Sequence, residues 1–219
     1  MKNDYIIGSK AKVDAATFSD EVDFNDHKIK FISDYCRDRT VLDLGCVQHN
    51  PRNYKSKFWL HEAIRLVSKS VVGVDIYKEG VDYLNKLEKY DIHCHNAESF
   101  DLGQKFDVVV AGDIIEHLED LKGFFNSIKK HMHHDSILLI STPNPFYFMN
   151  IIKSVVNSDV QVNKEHTLWM CPKTLQQLLN RNGLDIDNLK YGSRFYKDRI
   201  LPFPKRIKHT TFHVKASFT

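Results

Sequence analysis

Two acids and a histidine lie close together near the middle of the chain, at Asp113, Glu116 and His117. A hydroxyl group that attacks an electrophile has to lose its proton, and a histidine can accept that proton because its ordinary pKa lies close to neutral pH. Glu116 could orient the imidazole. The pattern predicts a general base at His117. The alternative is a histidine that only caps or packs the start of a helix.

A second histidine stands near an aromatic residue, at His166 and Trp169. The imidazole could act as a base or as a hydrogen-bond donor, and the indole could provide a flat surface for a sugar ring. The alternative is a helix-capping turn with a packed tryptophan. His166 therefore joins His117 as a candidate catalytic residue, while His49 and His61 are weaker candidates of the same type.

Glycine and acidic residues follow two predicted strands in the first half of the chain. The runs 40–44 and 71–74 are largely apolar and rich in β-branched residues, as is typical of buried strands in a parallel sheet. Gly45 follows the first run, and a glycine there lets the backbone pass close to a ligand. Asp75 follows the second run, where a carboxylate can accept hydrogen bonds from a ribose diol.

Two further strand ends extend this pattern. Asn96, Ala97 and Glu98 follow the third predicted strand, where a side-chain amide or carboxylate could meet an adenine amino group. Gly112 and Asp113 end the fourth predicted strand. Because the carboxyl ends of parallel strands meet at one edge of a sheet, these positions together predict a nucleoside site. Each of them alone could be an ordinary loop residue.

Helical and strand patterns alternate along the chain, which predicts a doubly wound α/β sheet that ends in an antiparallel hairpin. The predicted strands are 40–46, 71–76, 92–95, 106–113, 136–140, 184–195 and 209–216. The predicted helices are 24–37, 58–67, 79–90, 121–132, 146–156 and 172–182. We assign residues 1–38 to an N-terminal arm and helix, with the arm reaching to about residue 22, and residues 39–219 to a single domain.

Four motifs, taken together, resemble class I S-adenosylmethionine-dependent methyltransferases. They are Thr40–Cys46, the strand that ends at Asp75, Asn96–Glu98 and Phe106–Leu118. The resemblance extends over about residues 38–195, and it implies S-adenosylmethionine as the cofactor and S-adenosylhomocysteine as its product. It also implies a Rossmann-like, seven-stranded sheet in which the last strand is antiparallel.

The resemblance assigns parts of the cofactor to individual residues. The methionine end would lie against Asp43, Gly45 and Cys46, and the ribose hydroxyls against Asp75. The other implied contacts are to the adenine, from Ile76, Asn96, Ala97 and Glu98, and to the sulfonium, from Gly112, Asp113 and Ile114.

The chain departs from the family pattern after Cys46. The family usually continues with two more glycines in a Gly-x-Gly-x-Gly pattern, whereas Val47 and His49 stand at those positions. A pyrophosphate needs the close backbone approach that such glycines allow, so a site of the NAD type is disfavoured. S-adenosylmethionine carries no phosphate and does not need that approach.

Several segments resemble a subgroup of these enzymes that is often associated with bacterial surface-polysaccharide synthesis. They are the loop after Cys46 and residues 59–61, 142–145 and 165–169. We therefore expect an O-methyltransferase that acts on a hydroxyl of a small molecule or a glycan, with a sugar in surface-polysaccharide biosynthesis as the favoured acceptor.

Two other functions remain open. Asp113, Glu116 and His117 match the acid-x-x-Glu-His pattern with which ubiquinone-type O-methyltransferases are thought to hold magnesium. This resemblance implies a metal-dependent quinone or phenol O-methyltransferase, but relatives without a metal share the pattern, so no metal ligand is assigned. The missing glycines also allow a non-catalytic binding module with a methyltransferase fold.

The charge of the chain is nearly balanced but uneven. The 219 residues carry a formal net charge of +3, which gives no indication of a nucleic-acid partner. From Lys190 to the end, however, eight Lys or Arg residues accompany one acid, Asp198. This basic stretch is either a solvated face or a surface that attracts an anionic substrate or a membrane.

The cysteines and the apolar runs point to an ordinary intracellular protein. None of the four cysteines has CxxC spacing, and we expect them to be reduced and mostly buried. No apolar run reaches the length of a signal-peptide core or a membrane span, so we expect a cytoplasmic protein. His131, His133 and His134 cluster at a predicted helix end, where we expect a solvated turn.

Overall fold

A seven-stranded mixed sheet with helices on both faces forms the body of the protein. The computed structural model describes residues 21–157, 162–193, 195, 198 and 200–219. The arm predicted up to about residue 22 therefore lies almost entirely outside the described residues. Among the described residues, no helix is long and apolar enough to cross a membrane.

The sheet has the strand order β3-β2-β1-β4-β5-β7-β6. The strands are β1 (Thr40–Leu44), β2 (Ser70–Asp75), β3 (Ile92–Cys94), β4 (Phe106–Gly112), β5 (Met132–Pro143), β6 (Leu184–Gly192) and β7 (Thr211–Phe218). Strands β1 to β5 pair in parallel, whereas β7 runs antiparallel to both β5 and β6. The predicted seven-stranded α/β sheet with an antiparallel last strand is confirmed.

The helices connect successive strands, as a parallel sheet requires. They are α1 (His27–Cys36), α2 (Leu60–Val67), α3 (Lys78–Asn85), α4 (Leu121–Lys130), α5 (Phe148–Asn157), α6 (Pro172–Arg181) and α7 (Lys205–Lys208). Two short 3₁₀ helices, Pro51–Lys55 and Ile115–His117, follow β1 and β4. The first lies in the loop after Cys46, and the second carries the Glu-His pair.

Both faces of the sheet are buried, which explains why the first strands have no polar alternation. In β4, Val109 and Ala111 pack with Phe124 and Phe125 of α4, on one face. Residues from α1 and α2 pack on the other face, where Val108 and Val110 belong to a second cluster with Phe31, Ile32 and Ile64. The helix of the N-terminal segment thus contributes directly to the core.

The strand order reverses between β1 and β4, which lie side by side in the middle of the sheet. Leu44 of β1 pairs with Ala111 of β4, so Gly45 and Gly112 leave the sheet next to each other. In open α/β sheets, ligands bind in the crevice that opens at such a reversal, outside the carboxyl ends of the strands. The topology therefore brings the predicted nucleoside residues to one edge.

The predicted solvated turn at the end of α4 is wrong for His131. This side chain is fully buried, with its Nδ1 donating to the Ser127 carbonyl (2.7 Å) and its Nε2 accepting from the Leu102 N–H (2.9 Å). Strand β5 also begins four residues earlier than predicted, at Met132, so His133 lies within a strand. The bond from Leu102 spans 29 residues, which no local pattern reveals.

All four cysteines are free thiols, as predicted. Cys36 and Cys46 are buried. The expectation of burial is wrong for Cys94, which is exposed, and for Cys171, which is half-buried. Cys94 lies at the end of the edge strand β3, where the sheet no longer covers it.

Candidate active site

The loop after β1 is anchored by a buried pair. Asp43 is 2% exposed, and its Oδ2 accepts from Nδ1 of His61 in α2 at 2.9 Å. His61 is also buried, so it is not part of an open wall of the site. The indole of Trp59 donates to the Cys46 carbonyl at 2.8 Å. These contacts hold the loop against α2, and the backbone turns at Gly45, which has a φ of +69°.

Space around Gly45 and Cys46 is tight. A Cβ on Gly45 would lie 3.0 Å from Cδ1 of Ile114, so the loops after β1 and β4 touch there. Burial raises the pKa of the Cys46 thiol well above its ordinary value, with the negative charges of Asp43 and Asp75 adding to the effect. Cys46 is therefore a neutral thiol, inert as a nucleophile.

Asp75 holds two backbone groups with its two carboxylate oxygens. Oδ2 accepts from the Val47 N–H (2.8 Å) and Oδ1 from the Tyr77 N–H (2.9 Å), while burial raises the pKa of the carboxyl. Each oxygen can accept a further hydrogen bond, which suits a ribose diol. The next side chain, Ile76, is apolar yet 60% exposed, which suits the face of a base.

The loop after β3 is tied to the start of α4. Oε1 of Glu98 accepts from the N–H groups of Glu119 (2.6 Å) and Asp120 (2.7 Å), so this carboxylate anchors the entry to the helix. Asn96 accepts from the Glu98 N–H through its side chain (2.9 Å), and Ala97 is buried. Contacts from Asn96, Ala97 or Glu98 to an adenine stay a prediction.

Asp113 adopts a backbone conformation that is uncommon for a residue with a side chain, at φ +54°. Its carboxylate accepts from Lys28 Nζ (2.5 Å) and from Ser141 Oγ (2.7 Å). Burial would raise the pKa of Asp113, but the charge of Lys28 and these two bonds lower it to about 2. Lys28 lies in α1, far away in sequence, and no motif pointed to it.

The residues at this edge fit a nucleoside that carries no phosphate. Gly45 and Gly112 lie side by side, Asp75 keeps lone pairs for hydroxyl groups, and Ile76 is an exposed apolar surface. The Val47 N–H, which a pyrophosphate would need as a donor, is already bonded to Asp75. The arrangement therefore fits S-adenosylmethionine and disfavours a dinucleotide.

Three titratable side chains meet beyond β4, and we call Glu116, His117 and His166 the Glu-His-His cluster. Their possible ligand atoms all lie within 4.8 Å of one another. Glu116 is 2% exposed and accepts from Thr142 Oγ1 at 2.9 Å. Burial, together with the negative charge of Asp113, raises the pKa of Glu116 to about 7.

The two histidines of the cluster face each other edge to face. Their ring centroids are 4.8 Å apart and their planes make an angle of 89°. Nδ1 of His117 lies 3.1 Å from the Glu165 carbonyl, which can only accept, so Nδ1 carries a proton and Nε2 is the nitrogen that can accept one. Burial and the neighbouring His117 lower the pKa of His166.

Backbone bonds hold the segment of His166 against the 3₁₀ helix. The Glu116 carbonyl accepts from the N–H groups of Thr167 (2.8 Å) and Leu168 (3.2 Å). The Thr167 hydroxyl donates to the Leu118 carbonyl (2.9 Å). Sequence reasoning predicted both histidines but not Thr142 or Thr167, since their partners lie 26 and 49 residues away. Trp169 is 37% exposed.

The structure alters the metal site implied by the acid-x-x-Glu-His pattern. Asp113 is bound to Lys28 and Ser141 and is not part of the cluster, and His166 takes its place. Magnesium prefers oxygen ligands, whereas two imidazoles and one carboxylate suit a transition metal. The donors that meet here do not fit magnesium.

Curated proteins with recognisable similarity are O-methyltransferases. The chain is 24% identical over 164 residues to the human mitochondrial ubiquinone biosynthesis O-methyltransferase, matching 68% of this chain and 42% of that protein. It is 28% identical over 125 residues to the ubiquinone biosynthesis O-methyltransferase of Pelagibacter ubique, matching 54% of this chain and 48% of that protein. The matches thus span less than half the length of these relatives.

Solved structures with the same fold are methyltransferases too. An S-adenosylmethionine-dependent methyltransferase from Archaeoglobus fulgidus superposes with a TM-score of 0.62 at 17% identity, covering 85% of this chain and 89% of that one. Magnesium protoporphyrin IX methyltransferase from Synechocystis, solved with bound SAH, superposes with a TM-score of 0.62 at 15% identity, covering 87% of this chain and 82% of that one. At this identity the likeness concerns the fold.

A family model described as a methyltransferase domain matches residues 19–189. The match includes β1 to β5, the edge with Gly45 and Asp75, and the Glu-His-His cluster. The chain belongs to this family of methyltransferase domains, and it has the fold of the enzymes that use S-adenosylmethionine.

Proposed function

We propose that the protein transfers a methyl group from S-adenosylmethionine to a phenolic hydroxyl, with His117 as the general base. The observation that carries this proposal is the geometry of the His117 ring. Its Nδ1 proton is held by the Glu165 carbonyl, which leaves Nε2 as the nitrogen that can accept a proton, and the residue belongs to a cluster with Glu116 and His166. This geometry suits the removal of a proton from a hydroxyl.

The cofactor would be held by the residues that follow the first strands. Gly45 gives it room, Asp75 accepts from the ribose hydroxyls, and Ile76 lies against the base. The bound cofactor supplies a methyl group on a sulfonium, which is an electrophile. The protein's own contribution is to hold the acceptor oxygen in line with that carbon, and correct placement alone can provide a large part of the rate.

His117 would take the proton of the acceptor hydroxyl on Nε2 as the oxygen attacks. The Glu165 carbonyl keeps the other ring nitrogen protonated, so the ring presents the correct lone pair. The imidazolium that forms is favoured by a negative charge on Glu116, which with a pKa of about 7 is partly ionised at neutral pH. His166 is a positioning residue for the His117 ring.

A phenolic acceptor is favoured over a sugar for a chemical reason. A phenol has a pKa of about 10, as in tyrosine, and is far more acidic than an aliphatic alcohol, so a neutral histidine assists it more effectively. The similarity to proteins named as ubiquinone biosynthesis O-methyltransferases supports the same choice. Methylation of a surface polysaccharide stays a prediction from the sequence.

The test is methyl transfer from labelled S-adenosylmethionine to a panel of ortho-dihydroxy phenols and free saccharides. We expect a phenol methyl ether as the product. Activity should persist in EDTA, since no step assigned to these residues uses magnesium. Methyl transfer to saccharides but to no phenol would show that the acceptor is a sugar and would contradict the proposed phenolic acceptor. Activity that disappears in EDTA and returns with magnesium would contradict the role given to His117.

A non-catalytic module predicts a different result in the same assay. It would transfer no methyl group to any acceptor of the panel, even where calorimetry detects cofactor binding. Absence of binding at millimolar S-adenosylmethionine would contradict both the cofactor site and the proposed reaction.

A further inference from the structure

Helix α5 exposes most of its apolar side chains to solvent. Phe148, Ile151, Ile152, Val155 and Val156 form one helical stripe, at spacings of three and four residues. Ile151 is 55% exposed, Val155 77% and Val156 73%. Within residues 148–156, which the structure describes throughout, no side chain is buried. By contrast, Phe124 and Phe125 of α4 are fully buried.

Two polar side chains of α5 lie on the side of the helix away from the exposed stripe and make hydrogen bonds within the protein. Asn150 donates through its amide to the carbonyls of Asn144 (3.3 Å) and Pro145 (3.4 Å), and Ser154 donates to the Asn150 carbonyl (2.7 Å). An amphipathic helix on a globular protein normally turns its apolar stripe toward the core. Helix α5 is oriented the other way.

A second segment extends the apolar surface. The Phe148 ring lies 5.5 Å from the ring of Phe203, which is 44% exposed, and Ile200 is 67% exposed. The side-chain amide of Asn144 donates to the Arg206 carbonyl (2.9 Å), which ties this segment to the start of α5. We call residues 148–156 and 200–206 together the α5 surface.

The charged residues of the α5 surface itself are all basic, and the adjacent Asp198 is buried within the protein. Lys153, Lys205 and Arg206 are exposed, and residues 144–157 and 200–210 contain no Asp or Glu. Monomeric proteins rarely expose continuous apolar patches of this kind without a binding partner. An apolar helix face with a basic rim is the pattern of helices that lie in the interface of an anionic membrane.

We propose that the α5 surface docks on an anionic lipid bilayer, with α5 in the interfacial plane and its basic rim against the head groups. Strand β5 connects this surface to the active-site region, since Thr142 at its end donates to Glu116 and α5 begins at Phe148. A docked protein would therefore present the Glu-His-His cluster near the bilayer. The docking itself does not depend on which hydroxyl is methylated.

The test is co-sedimentation of the whole protein with two kinds of vesicle, phosphatidylcholine alone and phosphatidylcholine with 30% phosphatidylglycerol (about a third of the lipid, a typical anionic load). We expect binding to the anionic vesicles that weakens with added salt, and little binding to the neutral ones. The double variant Ile151→Asp/Val155→Asp should bind at least about tenfold more weakly, because two apolar side chains leave the interface.

Two further variants separate the contributions. Lys205→Glu/Arg206→Glu should weaken binding to anionic vesicles and flatten its salt dependence. Leu66→Asp is the matched control, since Leu66 is an exposed apolar residue of α2, outside the α5 surface, and it should bind like the unaltered protein. Circular dichroism confirms that each variant is folded.

Three results would overturn the docking proposal. The first is an unaltered protein that binds neither kind of vesicle. The second is equal binding by Leu66→Asp and Ile151→Asp/Val155→Asp. The third is a dimer in solution that Ile151→Asp/Val155→Asp converts to a monomer while vesicle binding is absent, which would assign the α5 surface to a second copy of the chain.

Discussion

The two ends of the active-site edge are constructed differently. Where β1, β2 and β3 end, the carboxylates of Asp43, Asp75 and Glu98 are each bonded to a histidine or to backbone N–H groups. Beyond β4, Glu116 has a pKa raised to about 7, and α5 leaves its apolar stripe uncovered. We propose the first end as a fixed support for the nucleoside of the cofactor. The second end contains a carboxyl that can exchange a proton near neutral pH and an apolar helix face that is exposed to solvent.

The Asp43–His61 pair should be the most costly single contact to break. His61→Ala leaves the Asp43 carboxylate buried without its partner, and such losses typically cost about 3–5 kcal/mol. We expect urea unfolding to show a loss of this size. Lys30→Ala, which removes an exposed ion pair with Asp34, is the control and should leave the free energy of unfolding unchanged. A loss below about 1 kcal/mol for His61→Ala would show that the nucleoside end is not fixed in this way.

Glu116 should make stability depend on pH in a direction that identifies it. Its carboxyl has a pKa of about 7 in the folded protein against an ordinary value of 4.5, so the folded state binds the proton more tightly. Raising the pH from about 4.5 to about 7 therefore favours unfolding, by at most about 3 kcal/mol. Glu116→Gln should remove this contribution in urea unfolding measured across that range.

Glu119→Gln is the control for that measurement, because Glu119 is an exposed carboxyl three residues further on. Its stability curve should keep the shape found for the unaltered protein. If Glu116→Gln and Glu119→Gln gave parallel curves, the raised pKa of Glu116 and its part in the reaction would be contradicted.

A substitution at Gly45 should affect cofactor binding as well as stability, whereas a comparable glycine elsewhere should affect stability alone. Gly45→Ala places a side chain at φ +69° and 3.0 Å from Ile114, so it should lower the free energy of unfolding by about 1–2 kcal/mol. It should also weaken the binding of S-adenosylmethionine by about tenfold. Gly183→Ala, at φ +76° with open space around it, should cost similar stability and leave cofactor affinity unchanged. Calorimetry of both variants makes the comparison, and equal affinities would place the cofactor elsewhere.

Substitutions on the exposed stripe of α5 should have the smallest effect on stability. Ile152→Ser removes an apolar side chain that is 46% exposed, and we expect the free energy of unfolding to change by less than about 0.5 kcal/mol. Leu179→Ala, in the buried face of α6, should cost about 2–5 kcal/mol. A comparable loss in both would mean that α5 packs against the protein after all.

The fold was largely predictable because its signals are local. Continuous β-branched runs marked β1, β2 and β4, and their alternation with helical patterns gave the doubly wound sheet. The main error in strand bounds was the start of β5, where polar residues of the strand looked like a helix end. Burial of His131 depends on Leu102, about 30 residues away, so local patterns could not reveal it.

The residue types of the candidate site could be recognised in the sequence, but the contacts that these residues make could not. The sequence pointed to Asp113, Glu116, His117 and His166, yet it placed Asp113 with Glu116 in a possible metal site. The structure bonds Asp113 to Lys28 of α1, and such a contact over 85 residues leaves no trace in a motif. The outward orientation of α5 was equally hidden, because its apolar spacing alone predicts a buried helix.

The most direct test of the proposed reaction is a comparison of turnover and cofactor affinity in His117→Ala. We expect kcat for methyl transfer to fall by about 10²–10⁴, which is the usual contribution of a general base. The Kd for S-adenosylmethionine should stay within about twofold, because the proposed cofactor site lies at the other end of the edge. Turnover and affinity that fall together, or turnover that does not change, would contradict the role of His117.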